Sequence, residues 1–409
     1  MNKFLKEFKD RGYFYQCTDE NELSSLLDAN KIKAYIGFDC TAESLHVGSL
    51  LQIMCLRLLQ KHGHQPIVLL GGGTTRIGDP SGKDKTRRIL SEKEIKKNSR
   101  NIKKILNTFL ATKNKKVKPL FVDNYKWLKG LNYISFLRNI GKHFTINKML
   151  TFESVKTRLD REQSLSYMEF NYMILQAYDF LELNEKKNCV LQIGGSDQWG
   201  NIVNGVELIK RNSNKKVFGL TTPLITLASG AKMGKTADGA IWLDKKFLSP
   251  YEYWQFWRNT DDRDVIKFLK YFTDIEISKI ENLKNQNINE LKILLANKTT
   301  SMLHGKINAE KSEKTARETF SENSTGSNLP FVQINNSILK NNINIIDLII
   351  ISKLENSKSE IRRLIKGNAI KINNQIIVNE KFLIKDELFK ENFLKLSIGK
   401  KRHIKIILN

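Results

Sequence analysis

Three side chains with hydrogen-bonding groups recur at helical spacing in an otherwise apolar segment. Tyr172, Gln176 and Asp179 occupy positions i, i+4 and i+7, so a helix here projects all three from one face. A polar stripe on an apolar helix is costly to bury unless it meets partners. The alternative, a solvated stripe, is weakened because the neighbouring residues 173–175 are Met, Ile and Leu. The spacing therefore favours a pocket lined by these three side chains.

One glycine-rich stretch superficially suggests a P-loop that holds phosphates. In GGGTTRIGDPSGK (71–83), however, Gly78 is followed by Asp79, and Lys83 is followed by Asp84 rather than by Ser or Thr. No G-x-G-x-x-G dinucleotide fingerprint follows a strand either. Considered alone, the stretch is equally well explained as a turn without function.

Two further stretches combine glycine with basic side chains. In DCTAESLHVGS (39–49), His46 and Gly48 open the helix after the first strand. The positive end of a helix dipole favours phosphate there, and an imidazole can donate to a phosphoryl oxygen. KMGKT (232–236) carries two lysines three residues apart on a glycine-flanked loop, which suits a mobile clamp for a polyphosphate. Taken separately, an ordinary helix-cap histidine and a solvated loop explain these stretches as well.

Together the two stretches resemble the HIGH and KMSKS motifs of class I aminoacyl-tRNA synthetases. The intervening sequence is similar to the bacterial tyrosyl-tRNA synthetase family, and the resemblance spans essentially the whole chain. The segments that carry it are YIGFD (35–39), GGGTTRIGDPSGK (71–83), YMEFNYMILQAYD (167–179), LQIGGSDQWGN (191–201) and SPYEYWQFW (249–257). Ser49 replaces the second histidine of HIGH, which removes one possible phosphate or ribose contact. Cys40 stands where many relatives carry Pro, and KMGKT departs from KMSKS at positions that tolerate Gly and Thr in the tyrosyl branch.

The resemblance implies a tyrosine–tRNA ligase. ATP activates L-tyrosine to tyrosyl-adenylate and diphosphate, and tyrosine then passes to the 3′-terminal adenosine of tRNA(Tyr). No side chain need act as a covalent nucleophile, because positioning and charge stabilisation lower the barrier. ATP enters as a co-substrate with Mg²⁺, and we expect no permanently bound cofactor and no protein metal site.

The resemblance also assigns roles to individual residues. Those implied for tyrosine are Tyr35 and Asp179 at the phenolic hydroxyl, Tyr172, Gln176 and Asp79 at the ammonium group, and Gln192. Those implied for ATP are Gly37, Asp39, His46, Gly48, Ser49, Gly195, Asp197, Gln198 and Lys235, with Asp197 suited to the ribose hydroxyls. Those implied to act catalytically around the leaving pyrophosphate are Thr41, His46, Lys83, Arg87, Lys232, Lys235 and Thr236.

The elements that must position these residues form a parallel sheet. A strand (33–39), an amphipathic helix closed by Gly63 (46–63) and a buried strand (65–73) read as a βαβ unit. Further predicted elements are a Lys-rich helical segment (84–115), strands at 118–122, 189–193 and 221–226, and a helix-rich insertion (125–185). The predicted fold class is α/β, with a Rossmann-like parallel-sheet nucleotide-binding domain, a helical domain and a small α+β S4-like domain. Ligands are expected at the carboxyl ends of the strands.

Four segments are predicted along the chain. They are the N-terminal helices and catalytic domain with its helical insertion (1–226), the KMSKS-type loop and helical domain (227–320), a linker (321–342) and the S4-like module (343–409). In the module, KSEIRRLIKG (358–367) predicts a basic helix stopped by Gly367, and 369–378 predicts a hairpin turning at Asn373-Asn374. Residues 341–409 carry 14 Lys and Arg against 7 Asp and Glu. This module resembles an S4 RNA-binding domain, with Arg362, Arg363 and Lys366 contacting tRNA phosphates.

The net charge and the composition predict what kind of partner the protein binds and in which cellular compartment it works. The net charge of +25 predicts a polyanionic partner, either nucleic acid or anionic lipid, although an AT-rich coding bias could also enrich lysine. No apolar stretch reaches membrane-span length, and the first residues do not read as a signal peptide. The four cysteines form neither a metal clip nor a disulfide framework, so we expect a cytoplasmic protein without a membrane partner.

The resemblance implies a homodimer, with the inserted region around 125–165 as its interface and a tRNA that spans both subunits. Two alternatives remain open. A tryptophanyl-tRNA synthetase shares the architecture, but Tyr35 and Asp179 argue for a phenol as the ligand. A non-catalytic RNA-binding protein on the same scaffold could lose its clamp and pocket residues, whereas all of those are present in this chain.

Overall fold

A computed structural model gives the fold of most of the chain. It describes residues 2–81, 89–110, 117–231, 233–236, 239–320, 329, 331–336, 339, 343–389, 392–399 and 402–408. Two compact units are distinguished, the first comprising Met1–Phe247 with Thr260–Leu291 and the second Leu248–Asn259 with Lys292–Asn409. Among the helices in these ranges, none combines the length and apolarity needed to cross a membrane.

The described residues form strands and helices along the whole chain, numbered here in chain order. The strands are β1 (Gln16–Cys17), β2 (Lys33–Asp39), β3 (Gln65–Gly71), β4 (Leu120–Asp123), β5 (Cys189–Gly195), β6 (Phe218–Thr222), β7 (Lys235–Thr236), β8 (Gly239–Ala240), β9 (Phe331–Ile334), β10 (Ile370–Ile372), β11 (Gln375–Ile376), β12 (Phe393–Ile398) and β13 (Arg402–Leu408). The helices are α1 (Lys3–Asp10), α2 (Glu20–Ala29), α3 (Leu50–Lys61), α4 (Glu92–Leu110), α5 (Tyr125–Leu128), α6 (Tyr133–Asn139), α7 (Ile146–Leu150), α8 (Glu153–Asp160), α9 (Tyr167–Phe170), α10 (Tyr172–Lys187), α11 (Trp199–Ser213), α12 (Pro250–Arg258), α13 (Asp262–Phe272), α14 (Ile277–Leu283), α15 (Ile288–His304), α16 (Lys306–Phe320), α17 (Ile345–Ile351) and α18 (Lys358–Lys366).

The first unit is built on a six-stranded sheet, which confirms the predicted α/β class. Its strand order is β1-β6-β5-β2-β3-β4, with β2 to β6 parallel and β1 antiparallel at one edge. The chain leaves β2 in one direction to form β3 and β4, and β5 and β6 lie on the other side. The order therefore reverses between β2 and β5, and a crevice for ligands is expected at the carboxyl ends of these strands.

Buried apolar runs explain why these strands are central. Ile67, Val68, Leu69 and Leu70 of β3 are all buried, as a parallel strand covered by helices on both faces requires. Between β2 and β3, α3 follows a short 3-10 turn (Val47–Ser49) and is buried along most of its length. The predicted strands 33–39 and 189–193 and the helix-rich insertion 125–185 are confirmed.

One strand prediction is wrong in position. The sequence indicated a strand at 221–226, but β6 spans Phe218–Thr222 and ends immediately before Pro223. Because Pro223 has no N–H to donate to a neighbouring strand, the strand ends before it and uses the apolar residues on its N-terminal side. The two-residue strand β1, which pairs with β6, was not anticipated.

The second unit contains helices and a small sheet. α12 starts with a capping box, in which the Ser249 hydroxyl accepts from the Glu252 N–H and the Glu252 carboxylate accepts from the Ser249 N–H, and Pro250 begins the helix. The indole of Trp254 donates to Asn297 on α15 at 2.7 Å. The C-terminal sheet has the order β11-β10-β12-β13-β9, with β9 parallel to β13 and the other pairs antiparallel.

The predicted C-terminal hairpin and basic helix are confirmed. β10 and β11 pair through a turn at Asn373 and Asn374, whose φ angles are 45° and 71°. α18 ends at Lys366 with Gly367 as its cap, although the residue with positive φ is Asn368 rather than the glycine. β9 falls within the segment predicted as a linker, so the sheet of the tail begins at Phe331.

Candidate active site

One face of β2 carries three predicted ligand residues between the core and the carboxyl edge of the sheet. Tyr35, Gly37 and Asp39 alternate along the strand and therefore share a face. Tyr35 is buried at the deep end, Asp39 lies at the edge, and Gly37 between them is exposed. Because Gly37 has no side chain, it leaves a gap over the strand into which a flat group could be placed.

The Asp39 carboxylate is held by two hydroxyls. Thr74 Oγ1 donates to Asp39 Oδ1 at 2.8 Å, and Tyr172 Oη donates to Asp39 Oδ2 at 3.0 Å. A Cβ atom on Gly71 would lie 2.1 Å from Asp39 Oδ1, so only glycine fits beside this carboxylate. Burial, followed by the negative charges of Asp39 and Asp79, raises the pKa of Tyr172 well above its usual value. The Tyr172 hydroxyl therefore stays protonated and remains a donor.

The Asp179 carboxylate is 1% exposed and accepts two hydrogen bonds. Asn124 Nδ2 donates to Asp179 Oδ2 at 2.9 Å, and Trp127 Nε1 donates to Asp179 Oδ1 at 2.7 Å. Burial raises the pKa of this carboxyl to about 7, although both hydrogen bonds oppose the shift. Asp179 therefore changes charge near neutral pH, and its position is fixed by Asn124, directly after β4, and by Trp127 on α5.

Tyr35 lies in the same buried region. Its ring packs on Phe180 with centroids 5.3 Å apart, and its hydroxyl finds no hydrogen-bond partner among the described residues. Burial, and next the charge of Asp179, raise the pKa of Tyr35 well above its usual value. Gln192 is paired with Tyr35 across β2 and β5, and its Oε1 atom also lacks a partner in the described structure. A buried hydroxyl and a buried amide oxygen without partners mark a place for a polar ligand group.

A chain of amide groups connects the loop after β3 with α10. Gln198 Nε2 donates to Asp79 Oδ2 at 2.9 Å, and Ser81 N–H donates to Asp79 Oδ1 at 2.8 Å. Asn201 Nδ2 then donates to both Gln198 Oε1 and Gln176 Oε1 at 3.1 Å. The network fixes three predicted ligand residues with their oxygen atoms close together.

The two signature loops lie against each other. The Gly48 N–H donates to His46 Nδ1 at 3.0 Å, so a neutral His46 carries its proton on Nε2. His46 forms a β-bridge with Trp242, and their rings are 6.3 Å apart with the edge of one facing the other. Gly234 of KMGKT has φ +105°, and a Cβ atom there would lie 2.7 Å from His46 Nδ1. Glycine is therefore required for this close approach.

Most predicted ligand residues of the first unit gather at the carboxyl edge of the sheet. These are Tyr35, Gly37 and Asp39 on β2, Asp79 after β3, Tyr172, Gln176 and Asp179 on α10, Gln192 and Gly195 on β5, and Asp197 and Gln198 on the 3-10 turn after β5. Thr41 is exposed just beyond β2, and Ser49 makes no side-chain cap at the start of α3. Arg362, Arg363 and Lys366 are exposed on α18 in the second unit. There Arg362 pairs with Glu380 at 3.2 Å and Arg363 with Glu360 at 2.7 Å.

Several predicted lysines and arginines fall elsewhere. Lys83, Arg87 and Lys232 lie outside the described residues. The backbone of Lys235 and Thr236 forms β7, which pairs with β8, and their side chains are not among those described.

Sequence reasoning missed Asn124, Trp127, Thr74 and Asn201. Asn124 is completely buried and connects Asp179, Thr74 and the Gly73 N–H in one network. A signal was available, because Thr74 closely follows β3 and Asn124 directly follows β4, at the edge where ligands bind.

The arrangement has two ends of opposite character. At one end, Asp39, Asp79, Asp123 and Asp179 converge closely enough for their charges to act on one another or on Tyr172, which suits a ligand with an ammonium group. At the other end are the start of α3, the His46 Nε2 proton and the KMGKT loop, which suit phosphate. The site can therefore hold an amino acid beside a nucleoside triphosphate.

Comparison with known proteins covers the whole chain. The family model described as tRNA synthetases class I (W and Y) matches residues 27–321, and that of the SYY-like C-terminal domain of tyrosine–tRNA ligase matches residues 322–406. A tyrosine–tRNA ligase of Pelagibacter ubique (strain HTCC1062) is 76% identical over 408 residues, covering 100% of both chains. One of Rickettsia rickettsii (strain Sheila Smith) is 50% identical over 406 residues, covering 98% of this chain and 99% of the relative. The crystal structure of a C-terminally truncated mitochondrial tyrosyl-tRNA synthetase of Aspergillus nidulans matches with a TM-score of 0.70 and 29% identity, covering 78% of this chain and 94% of that one.

Proposed function

The chain belongs to the class I tRNA synthetases of the tryptophan and tyrosine branch and acts as a tyrosine–tRNA ligase, and from this premise we propose how its residues divide the reaction. It activates L-tyrosine with ATP to tyrosyl-adenylate and diphosphate, and then transfers tyrosine to the 3′-terminal adenosine of tRNA(Tyr). The tyrosine carboxylate attacks the α-phosphorus, and diphosphate leaves with the electron pair of the broken P–O bond.

Tyr35 and Asp179 recognise the phenolic hydroxyl of tyrosine. The observation that carries this assignment is the buried Tyr35 hydroxyl without a partner among the described residues, beside a buried carboxylate held in place by Asn124 and Trp127. A phenol would donate to Asp179 and accept from Tyr35, which would satisfy both groups. Phenylalanine would leave both desolvated and unpaired, which costs binding energy. Gln192, with its free amide oxygen, lines the same end of the pocket.

Tyr172, Gln176 and Asp79 hold the tyrosine ammonium group. Support comes from the amide chain that places the oxygens of Asp79 and Gln176 together through Gln198 and Asn201. Gly37 leaves the space between Tyr35 and Asp39 for the aromatic ring.

The nucleotide occupies the other end of the site. Gly48 and Ser49 offer the start of α3, Asp39, Gly195, Asp197 and Gln198 contact the adenosine, and Asp197 takes the ribose hydroxyls. His46 donates its Nε2 proton to a phosphoryl oxygen, and Thr41 contacts the leaving pyrophosphate. Lys83, Arg87, Lys232, Lys235 and Thr236 close over the pyrophosphate as its charge develops. Mg²⁺ enters bound to ATP.

A second copy of the chain covers the inserted region around 125–165. Support comes from large apolar side chains that this region exposes, including Tyr133, Ile134 and Ile146 at 57%, 70% and 64%. An exposed apolar patch of this kind marks a protein interface. The same region contributes the loops that lead into α10, so dimer formation would stabilise the pocket as well.

The tail binds tRNA through an S4-like surface around Arg362, Arg363 and Lys366. Both arginine side chains are exposed, and their glutamate partners are exposed (Glu380) or half-buried (Glu360), so phosphates can compete for these arginines at little cost. The four-segment division places this tail after a linker, and the boundary between the two matched family models at 321–322 supports it. Because ATP and tRNA are substrates, we place the enzyme in the cytoplasm.

The two alternatives are less well supported. A tryptophan-specific enzyme would share the first family model, but the second model and the full-length relatives are tyrosine-specific. A non-catalytic RNA-binding protein would not need the buried network around Asp179 and Asp79.

ATP–pyrophosphate exchange with each amino acid in turn tests the amino-acid assignment. Tyrosine alone should support exchange, and phenylalanine and tryptophan should not. Exchange with tryptophan, or no exchange with any amino acid, would overturn the assignment of this pocket.

The clamp is tested by Lys235→Ala. Its partner charge grows only in the transition state, so adenylate formation should slow by at least about 10-fold while tyrosine affinity stays near normal. Single-turnover kinetics separate the two quantities. A large loss of tyrosine affinity with an unchanged rate would contradict the clamp role.

A further inference from the structure

The largest local excess of positive charge in the chain lies in the segment around α4 and not in the tail. Residues 83–118 carry 14 Lys and Arg against 3 Asp and Glu. α4 itself carries six Lys and Arg against two Glu. The proposed roles in the first step use Lys83 and Arg87 of this segment but none of the cations of α4, so the excess on the helix has no explanation in the chemistry of the first step.

The cations of α4 share one exposed face. Most of them are three or four residues apart, which places them on one side of the helix, and all are exposed. They are Lys93, Lys96, Lys97, Arg100, Lys103 and Lys104. The opposite face is buried through Ile95, Asn98, Ile102 and Phe109. The exposed face is called the α4 stripe below. From Lys93 to Lys104 it extends about 16 Å at 1.5 Å per residue, which is long enough to meet several consecutive phosphates.

Most of the α4 stripe is not neutralised by the protein. Lys97 pairs with Glu43 at 2.6 Å and Lys96 with Glu92 at 3.7 Å. In the part of the chain that the structure describes, Lys93, Arg100 and Lys104 have no carboxylate within ion-pair distance. Their positive charges are therefore available to a partner from solution.

A general enrichment in lysine does not account for this stripe. α16 is also rich in charge, but it has four cations against three acids. There Lys306 pairs with Glu310, Lys314 with Glu318 and Arg317 with Glu313, each one helical turn apart. A coding bias toward lysine would leave other helices as unbalanced as α4.

The α4 stripe begins next to the active site. Asn98 Nδ2 donates to the Cys40 carbonyl at 2.9 Å, and Cys40 directly follows β2 at the carboxyl edge of the sheet. Glu43, the partner of Lys97, belongs to the same loop, which continues to His46. At its other end α4 is fixed by Gln60, whose Nε2 donates to the Leu110 carbonyl at 3.1 Å. The stripe thus leads away from the place that the 3′ end of the tRNA must reach.

We propose that the α4 stripe binds the phosphate backbone of the tRNA whose 3′ end enters the site. The proposal rests on the tRNA-ligase function, because tRNA is the polyanion that the enzyme must hold. Charge complementarity to a series of phosphates explains both the unbalanced cations and their exposure. The stripe adds to the tail a second surface for tRNA, within the catalytic unit.

The test compares two variants, one that lacks four charges of the α4 stripe and one that lacks four lysine charges elsewhere in the chain. The stripe variant is Lys93→Gln, Lys96→Gln, Arg100→Gln and Lys104→Gln. The control variant, with the same net charge, is Lys3→Gln, Lys6→Gln, Lys279→Gln and Lys284→Gln, which are exposed positions on α1, on α14 and directly after α14. For each variant, tRNA binding is measured from 50 to 200 mM salt, together with ATP–pyrophosphate exchange and urea unfolding.

The stripe variant should bind tRNA at least about tenfold more weakly at low salt, with a slope of log affinity against log salt reduced by about 3, at roughly 0.7–0.9 per lost phosphate contact. Its pyrophosphate exchange and unfolding should match the wild type, and the control variant should keep most of its tRNA affinity. An unchanged slope, or an equal loss in the control variant, would overturn the proposal. So would a loss of pyrophosphate exchange, or a selective loss of binding to anionic vesicles with tRNA binding intact.

Discussion

At the scale of single residues, the proposed selection of tyrosine depends on the buried environment of Asp179. Its carboxylate is 1% exposed, yet Asn124 and Trp127 each donate a hydrogen bond to it. These donors hold both oxygens in place without neutralising them. Burial nevertheless raises its pKa to about 7, so the charge that should recognise a phenol is about half present at neutral pH and rises above it.

We predict that tyrosine use depends on pH through Asp179. The ionised form accepts the phenol proton best, so kcat/KM for tyrosine in pyrophosphate exchange should be about tenfold lower at pH 6 than at pH 8. Asp179→Asn should remove this pH dependence and lower kcat/KM by roughly 10- to 100-fold, the loss of one hydrogen bond to a charged group. The KM for ATP serves as the control and should stay flat. An Asp179→Asn enzyme with the wild-type pH profile would assign the ionisation to another group.

Trp242 is predicted to position His46. Its backbone pairs with that of His46, and its ring stands 6.3 Å from the imidazole. Trp242→Leu should lower the rate of adenylate formation by about 3- to 30-fold and leave the KM for tyrosine unchanged, because only the phosphate end of the site loses support. Trp242→Phe should restore most of the rate. A rise in the tyrosine KM at constant rate would instead indicate a general structural role.

At the scale of elements, the predictions succeeded where one local signal dominated. The strand at 33–39 and the hairpin at Asn373-Asn374 are confirmed because apolar runs and left-handed asparagines depend little on distant contacts. The strand predicted at 221–226 was misplaced because an apolar pattern was followed across Pro223. From the sequence alone, glycines 71–73 fit a structural turn and a ligand site equally well. Tertiary contacts explain why glycine is needed, since Cβ atoms at Gly71 and Gly72 would meet Asp39 and Asp123.

In the candidate site, too, the residues found from local sequence patterns differ from those whose importance comes from tertiary contacts. The spacing of Tyr172, Gln176 and Asp179 predicts that they share one helix face, and all three lie on α10. Asn124 and Trp127 belong to no motif, because their importance comes from meeting Asp179 across 55 and 52 residues of sequence. No spacing rule within one segment could reveal such a contact.

The N-terminal helix α1 is fixed by a charge cluster and not only by its apolar face. The Arg11 guanidinium donates to the carbonyls of Lys270, Thr273 and Ile275 around the end of α13. The Glu7 carboxylate is in contact with Arg11, Lys61 and His62. Burial alone would raise the pKa of Glu7, but the hydrogen bonds from His62 and Lys61 and the charge of Arg11 lower it to about 2.

Glu7→Gln should therefore destabilise the catalytic unit. A carboxyl whose pKa falls on folding stabilises the protein above its unfolded pKa of 4.5, and that contribution is lost as the pH falls toward 2. We expect a loss of roughly 1–3 kcal/mol in the free energy of unfolding at pH 7, and about half of that difference at pH 3. Urea unfolding at both pH values checks this. Glu20→Gln is the control, because Glu20 is 35% exposed against 15% for Glu7, and its pair with Lys9 should contribute less than about 1 kcal/mol. An equal effect of both variants would contradict the prediction.

At the scale of the whole molecule, an excess of positive charge lies in two regions that we propose serve the second step of the reaction. The tail carries 14 cations against 7 acids in residues 341–409, and the α4 stripe adds its own excess within the catalytic unit. The pocket, in contrast, is lined by carboxylates at its amino-acid end. The first step should need neither cationic region, since the residues proposed to bind tyrosine and ATP all precede residue 240. The two steps should therefore be separable by removing one region.

Cutting the chain at Ser327 should leave tyrosyl-adenylate formation nearly intact and cripple transfer to tRNA. The apolar core of the tail is formed entirely by residues between Val332 and Leu408, so this cut, which precedes β9, removes the tail core as a whole and splits no strand. The full chain should lose tRNA affinity with rising salt more steeply than the truncated one, by roughly 0.7–0.9 in slope for each phosphate contact removed. Because the α4 stripe remains, the truncated enzyme should keep a weaker, still salt-dependent affinity. A truncated enzyme that charges tRNA as well as the full chain, with the same salt slope, would refute RNA binding by the tail.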